Sequence, residues 1–266
     1  MNRASIRATA AAGVITAAAA SATSGALAGC QQNIGDMDGV FYNGDDRLVH
    51  CAVDLDTSAR NGNASIDTGL DRARDRSEVV ELYAHDPGAG GTVSPDEIEH
   101  VLAGAQARGL SFVTYRDFAI KDDTDTEPGL ALSFDDTFVE AWVALRPMFQ
   151  QYHARLTFFI SHYRQLSATA HDGLKLLAAD GHDIEAHTVM HLRAPDYVED
   201  HGLDAYLRDE MDPSIQALVD DGYEVHAFAY PYGARTDELD AAIAKRVPVI
   251  RSVSFSYPEA ESPCPR

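Results

Sequence analysis

The stretch Leu130-Ala-Leu-Ser-Phe-Asp-Asp136 is a short apolar run that stops abruptly at two adjacent carboxylates, Asp135 and Asp136. An apolar run of this length reads as a buried strand. Charges that close such a run are not core residues unless they are paired or hold a metal. Two neighbouring acids also invite a division of labour, one binding a cation and the other handling protons.

Working outward, strand-like and helix-like segments alternate on both sides. Strand candidates fall at 48–55, 79–84, 111–115, 130–136, 155–160, 183–186, 224–229 and 247–254. Helical patterns fall between them, at 66–76, 95–108, 139–151, 168–179, 203–221 and 237–245. The second of these has a well-formed start, with Ser94 as N-cap, Pro95 in the first turn and the acids Asp96 and Glu97 behind it, and Gly109 closes it. No hairpin signals intervene. Such alternation predicts a parallel sheet with crossover helices, and at 266 residues an α/β barrel is favoured over an open sheet. Catalytic residues in such folds lie at the C-terminal ends of strands, where Asp135, Asp136, His85 and the segment around His187 all fall.

Composition narrows the possible partners. The chain is 45% hydrophobic and 24% charged, with a net charge of −21 and a pI near 4.7. Phosphates would be repelled, which argues against nucleic acid as a partner. The N-terminus reads as a targeting segment: Arg3 and Arg7, an Ala-rich run over 9–20, then Leu27-Ala-Gly-Cys30. Small residues before a cysteine here resemble the lipobox of bacterial lipoproteins, so Cys30 is the expected lipidation site and residues 1–30 the signal peptide. Past it, no stretch reaches the roughly 20 apolar residues of a membrane span. The expected mature protein is therefore exported to the bacterial cell envelope, anchored by lipid and monomeric, with 31–45 as a tether and 46–266 as one domain. Cys51 and Cys264 remain; they either form a disulfide or stay as unpaired buried thiols.

His187-Thr-Val-Met-His191 follows the strand at 183–186. Histidines four apart sit on one face of a helical turn, close enough to share a metal. One carboxylate and two imidazoles form a three-ligand set that leaves positions open for water and substrate. Zn²⁺ suits such a set best, and Co²⁺, Ni²⁺ or Mn²⁺ would also fit.

Ser133-Phe-Asp-Asp136, His187-Thr-Val-Met-His191 and Tyr230-Pro-Tyr-Gly233 resemble the first three motifs of the polysaccharide deacetylases, the NodB-like carbohydrate esterases. Thr157-Phe-Phe-Ile160 and Gly181-His-Asp-Ile-Glu-Ala-His187 are similar to that family's connecting strands, so the likeness spans residues 129 to about 251. The resemblance implies a distorted parallel (β/α) barrel that removes acetyl groups from a glycan. It also implies Asp136, His187 and His191 as metal ligands, Asp135 as the base acting on the attacking water, and the Tyr232 N–H as an oxyanion donor. For the side chains of Tyr230 and Tyr232, ordinary aromatic packing beside a Pro-Gly turn is the competing reading.

Three departures matter. The third motif usually carries an arginine two residues before its proline, to orient the base; here that position is Ala229, and Arg235 nearby is either its substitute or a solvated surface arginine. The fourth motif's tryptophan is missing from its place, since the only tryptophan is Trp142, on the helix after the first motif. The general-acid histidine of the fifth motif should follow the third motif, and the chain ends too soon. Glu81-Leu-Tyr-Ala-His85, upstream, resembles that closing part, with Val53-Asp-Leu-Asp56 as a degraded fourth motif whose Asp54 and Asp56 would tune His85. The expected arrangement is a circular permutation, with 46–119 moved ahead of 127–254 and the old termini joined at about 120–128. The competing readings are a separate N-terminal α/β domain, a non-catalytic glycan-binding lipoprotein of the same fold, and a metal-dependent amidase on a non-sugar substrate.

Overall fold

A computed structural model of the chain describes residues 33–56, 61–120, 127–255 and 264. The expected signal peptide with Cys30 and most of the 120–128 junction lie outside the described residues.

Nine strands are present among the described residues: β1 (Phe41–Tyr42), β2 (Val49–Asp54), β3 (Val79–Ala84), β4 (Ser111–Phe112), β5 (Gly129–Asp136), β6 (Thr157–Ile160), β7 (Asp183–Ala186), β8 (Ala227–Ala229) and β9 (Val249–Ser254). Between them run α1 (Asn63–Arg76), α2 (Pro95–Ala107), α3 (Tyr115–Ile120), α4 (Val139–Ala144), α5 (Arg146–Gln151), α6 (Ala168–Ala179), α7 (Ala194–His201), α8 (Leu203–Tyr206), α9 (Asp212–Asp220) and α10 (Asp237–Ile243). Seven strands close into a parallel barrel in the order β2-β9-β8-β7-β6-β5-β3, with β3 returning to β2. The expected parallel α/β barrel is the fold. The two front strands, β2 and β3, fill the gap between β9 and β5, so residues 46–119 do not form a separate N-terminal domain.

Strands buried on both faces explain the nearly continuous apolar runs. One set of alternating side chains, including Val80, Leu82, Leu130, Leu132, Phe134, Phe158 and Ile160, packs outward against the helices. The opposite set, Val79, Ala131, Phe159, Ala227, Ala229 and Val249, faces the barrel interior with Tyr115. The 111–115 segment departs from expectation. Only Ser111 and Phe112 pair, beside β5 and outside the ring, and Tyr115 begins α3 instead. That helix is held by the first residues of two strands: the Tyr115 N–H donates to Thr157 Oγ1 and the Arg116 N–H to Asp183 Oδ2, both at 3.0 Å. It therefore plugs the N-terminal mouth.

Two other expectations need correction. The 139–151 helix is two helices, because Pro147 has no N–H to donate and the chain restarts at Leu145. Residues 34–42 of the expected tether are part of the domain. Ile34 and Val40 are fully buried, β1 pairs antiparallel with β3, and Arg72 stacks on Phe41 at 3.9 Å while donating to the Gly35 and Met37 carbonyls. Ile34, Met37 and Val40 recur every third residue, and burial of that apolar face outweighs the polar composition around it. Cys51 and Cys264 are joined in a disulfide with a Cα–Cα distance of 6.0 Å. This leaves the alternative of unpaired thiols without support.

Candidate active site

β5 delivers Asp135 and Asp136 to the C-terminal rim, and β7, two strands away, delivers His187 directly after Ala186. The His187 Nδ1 lies 2.9 Å from the Ala229 carbonyl, which can only accept. Nδ1 is therefore the protonated nitrogen, and the Nε2 lone pair faces inward. Nε2 sits 3.9 Å from Asp136 Oδ1 and 4.0 Å from Asp135 Oδ2, while His191 Nε2 is 3.3 Å from Asp136 Oδ1. Asp136, His187 and His191 present ligand atoms all within 4.8 Å of one another. Ligands about 2 Å from a tetrahedral ion stand roughly 3.3 Å apart, so the set fits a small divalent cation. Burial pushes the His187 imidazole down to about 3, with Asp136 opposing, and burial likewise lowers His191. Both rings are thus neutral at physiological pH, as metal ligation requires.

The local geometry around the histidine pair differs from expectation. Residues 187–193 form an irregular loop, not a helical turn. Thr188 and His191 have φ of 70° and 55°, the His191 N–H donates to Thr188 Oγ1 at 3.0 Å, and the two rings meet at 4.9 Å. A π-helical turn over Leu207–Met211 swings the buried Glu210 beneath this loop, where its carboxylate accepts the Met190 N–H at 2.8 Å. Such single-turn bulges recur at functional sites. On the other side of Asp136, Ser161 Oγ donates to its Oδ1 at 3.3 Å.

Asp135 is almost fully buried and is held by Arg251 of β9, itself fully buried and clamped between Tyr83 and Phe159 at 4.8 and 5.1 Å. Burial opposes the guanidinium's charge, but Asp135 foremost, then Tyr115 and Tyr83, raises its pKa above the ordinary value. Arg251 is the register partner of Ala229 on the adjacent strand. The guanidinium that holds Asp135 thus comes from the strand beside the one that the resemblance implied. Arg235 does not take this part. It donates to Asp240 and Asp237, and the Tyr230 hydroxyl donates to the same Asp240 at 2.9 Å. The fully buried Tyr230 is therefore a packing residue. Tyr232 is 63% exposed, with φ of 59°, and its ring meets His191 at 4.8 Å.

His85 follows the last residue of β3, Ala84, which is registered with Phe134 of β5; His85 therefore stands beside Asp135. Its Nδ1–H donates to Asp56 Oδ2 at 2.6 Å, and Asp54 Oδ1 in turn accepts the Asp56 N–H at 2.8 Å. Burial would depress the imidazole, but the Asp56 hydrogen bond and the charges of Asp135, Asp56 and Asp136 outweigh it and raise the pKa to about 9. Burial, then repulsion from Asp56, raises Asp54 to about 6. Trp142 Nε1–H donates to the His85 carbonyl at 2.8 Å while its ring packs against Phe134, Phe138 and Phe158. The lone tryptophan thus does more than pack.

One carboxylate–imidazole triad, a buried carboxylate on an arginine, and a cationic imidazole on an aspartate therefore share one rim. Residues 122–249 match the family model described as polysaccharide deacetylase. Residues 122–249 are thus a polysaccharide deacetylase domain. That family consists of hydrolases that release acetyl groups from polysaccharides. Among solved structures, IcaB from Ammonifex degensii aligns with a TM-score of 0.54 and 18% identity, over 68% of this chain and 88% of that one. BA0330 from Bacillus anthracis gives 0.54 and 18%, over 65% and 57%. A de-N-acetylase from Aggregatibacter actinomycetemcomitans gives 0.50 and 14%, over 70% and 97%. At these identities the likeness bears on the fold. No curated protein matches the chain's sequence.

Sequence reasoning does not reach Arg251, Glu210 or Ser161 as site residues. For Arg251 a signal exists: it is the single charge inside the apolar run 247–254. No local signal marks Glu210 or Ser161.

Proposed function

We propose that this protein is a metal-dependent deacetylase acting on N-acetylated, and by the same chemistry O-acetylated, glycans. Asp136, His187 and His191 would hold the ion, zinc first among the candidates. A divalent ion in that position supplies Lewis acidity, lowering the pKa of water and polarising the acetyl carbonyl. Asp135, fixed by Arg251, accepts the proton of the attacking water. The Tyr232 N–H donates to the developing oxyanion. His85, cationic at neutral pH, gives its proton to the departing amine or alcohol. The observation that carries this reading is that His85, held on Asp56, and Asp135, held by Arg251, stand beside one another on the rim that carries the inward-facing donor triad.

The absent third-motif arginine is the feature that favours a non-catalytic glycan-binding protein, and Arg251 restores that function from β9. An amidase on a non-sugar substrate draws no specific support. The order of the elements supports a circular permutation: the family match begins at residue 122, while β2 and β3, from the front of the chain, bring Asp54, Asp56 and His85 to the same rim. Lipidation at Cys30, with attachment to the cell envelope, and a monomeric state complete the proposal.

The test is direct. Asp136→Ala and His187→Ala should each lose bound zinc and acetate release together, whereas Asp135→Asn should keep the metal and lose turnover. Undiminished turnover in Asp135→Asn would sink the mechanism.

A further inference from the structure

His85 heads the loop between β3 and α2, and its polar atoms are held from two sides. From the side of β2, Asp56 accepts its backbone N–H at 3.3 Å and its Nδ1–H at 2.6 Å. From the side of β5, the Trp142 Nε1–H donates to its carbonyl at 2.8 Å. β3 lies between those two strands, and its ladder with β5 ends at Ala84 and Phe134. Trp142 thus carries the tie to β5 one residue past the last strand pair, onto His85 itself. These bonds leave Nε2 as the nitrogen that can reach a leaving group.

The indole is a rigid donor. Trp142 is fully buried, and its ring is wedged among Phe134, Phe138 and Phe158, with centroids 6.1, 6.4 and 5.0 Å away. Its helix, α4, follows β5 after only Thr137 and Phe138, so the indole stays in step with the strand end that carries Asp135 and Asp136. Gly88 of the His85 loop lies against the same helix, since a Cβ there would stand 3.5 Å from the Ala141 Cβ. A buried indole N–H takes an acceptor in almost any core. Here the acceptor is the carbonyl of the acid, and the platform is the helix that follows the base. Supporting groups of this kind decide whether a reacting side chain stands in its productive place.

We propose that Trp142 is a positioning residue for the acid step, fixing His85 against the strand end that carries Asp135 and Asp136 so that acid and base keep one spacing. In that step the Nε2 proton passes to the departing nitrogen or oxygen as its bond to the acetyl carbon breaks, and a neutral imidazole remains. The proposal rests on the reading of His85 as the acid and adds the residue that sets its place. A positioned acid is worth about 10²–10⁴-fold, and a displacement of about 1 Å forfeits on the order of 100-fold. Loss of the indole donor should therefore weaken proton donation and leave metal binding and water attack in place.

The chain has a single tryptophan, so incorporating benzothienylalanine changes this site alone and puts sulfur in place of the N–H in a ring of nearly the same shape. Trp142→Phe is the companion variant, and zinc content and melting temperature are measured on both. Turnover is read on two substrates. One is whichever of the β-1,4- and β-1,6-linked pentamers of N-acetylglucosamine the wild type deacetylates faster; its amine leaves only with a proton. The other is nitrophenyl acetate, whose phenolate leaves without one. On the pentamer, kcat should fall about 10- to 100-fold with KM within threefold, while kcat/KM on the ester stays within threefold. Pentamer kcat within threefold of wild type overturns the proposal, and so does an equal loss on both substrates, which a merely structural tryptophan would give. A wild-type protein that deacetylates neither pentamer, or a His85→Ala variant that does so undiminished, removes the parent reading and this one with it. Turnover that needs His85 but ignores the loss of the indole donor removes only the part given to Trp142.

Discussion

Replacing Arg251 by methionine keeps most of the side-chain volume between Tyr83 and Phe159 and deletes the charge facing Asp135. Both partners are nearly inaccessible, with side-chain exposures of 1% and 3%. Solvent cannot take over for the missing guanidinium, and an uncompensated buried carboxylate costs about 3–5 kcal/mol. In a domain of this size each kcal/mol shifts the melting temperature by about 2–4 °C, so a fall of about 6–20 °C is expected. Catalysis should suffer separately, because Asp135 Oδ1 has no hydrogen-bond partner among the described residues and Oδ2 depends on Arg251 alone. A base released from its position by about 1 Å loses on the order of 100-fold in kcat. The assay is acetate release from an acetylated glycan, with zinc content and thermal melting measured on the same samples. A double variant sharpens the test: Ala229 and Arg251 are neighbours in register, about 4.8 Å apart across two parallel strands, so Ala229→Arg should recover at least tenfold when added to Arg251→Ala. Zinc-replete Arg251→Met with kcat within threefold of wild type would refute the role of the guanidinium. Failure of the double variant would refute the equivalence of the two strand positions.

Two further outcomes follow from the site and its surroundings. His85 must carry a proton to act as acid, so activity should be lost as the pH rises through its pKa of about 9. Asp56→Asn removes the acceptor that raises this value, so the alkaline limb of the kcat/KM profile should move down toward the ordinary histidine value near 6.5; an unmoved limb would take His85 out of the mechanism. The Cys51–Cys264 bond spans 213 residues, and closing so long a loop constrains the unfolded chain strongly. The double serine variant should lose about 2–5 kcal/mol by denaturant melting while retaining zinc, and a variant as stable as wild type would show the bond to be dispensable.

The residues legible in the sequence are those whose place at the rim follows from their own stretch of chain. Asp135 and Asp136 end an apolar run, His187 begins a loop at a strand's end, and His85 follows another strand; each position is set by its own segment. Arg251 is not legible, because its meaning lies in the β8–β9 register and 116 residues separate it from Asp135. The His187–His191 spacing points to two nearby rings but not to the backbone that joins them. Separation by four serves equally for a helical turn and for a loop with two left-handed residues. Residues 34–42 read as a tether because their three-residue apolar repeat is too short to stand out, and only the cover that β3 and α1 offer makes it a packed segment.

The rim also explains why side chains occupy positions that glycine would fill at lower cost. Asp136, His162, Thr188, His191 and Tyr232 all have φ between 51° and 83°. Each such residue costs of order 1 kcal/mol or more in backbone strain. Glycine would remove that cost and, with it, a carboxylate, an imidazole or a ring. The strain is offset by anchors outside the chemistry: Ser161 on Asp136, Thr188 on the His191 N–H, and Glu210 on the Met190 N–H. Left-handed backbone turns the chain sharply, and such turns at Asp136 and His191 accompany the meeting of their side chains with His187 within 4.8 Å at the barrel's mouth. That convergence is what a rim of straight strand ends, each about 4.8 Å from the next, could not supply.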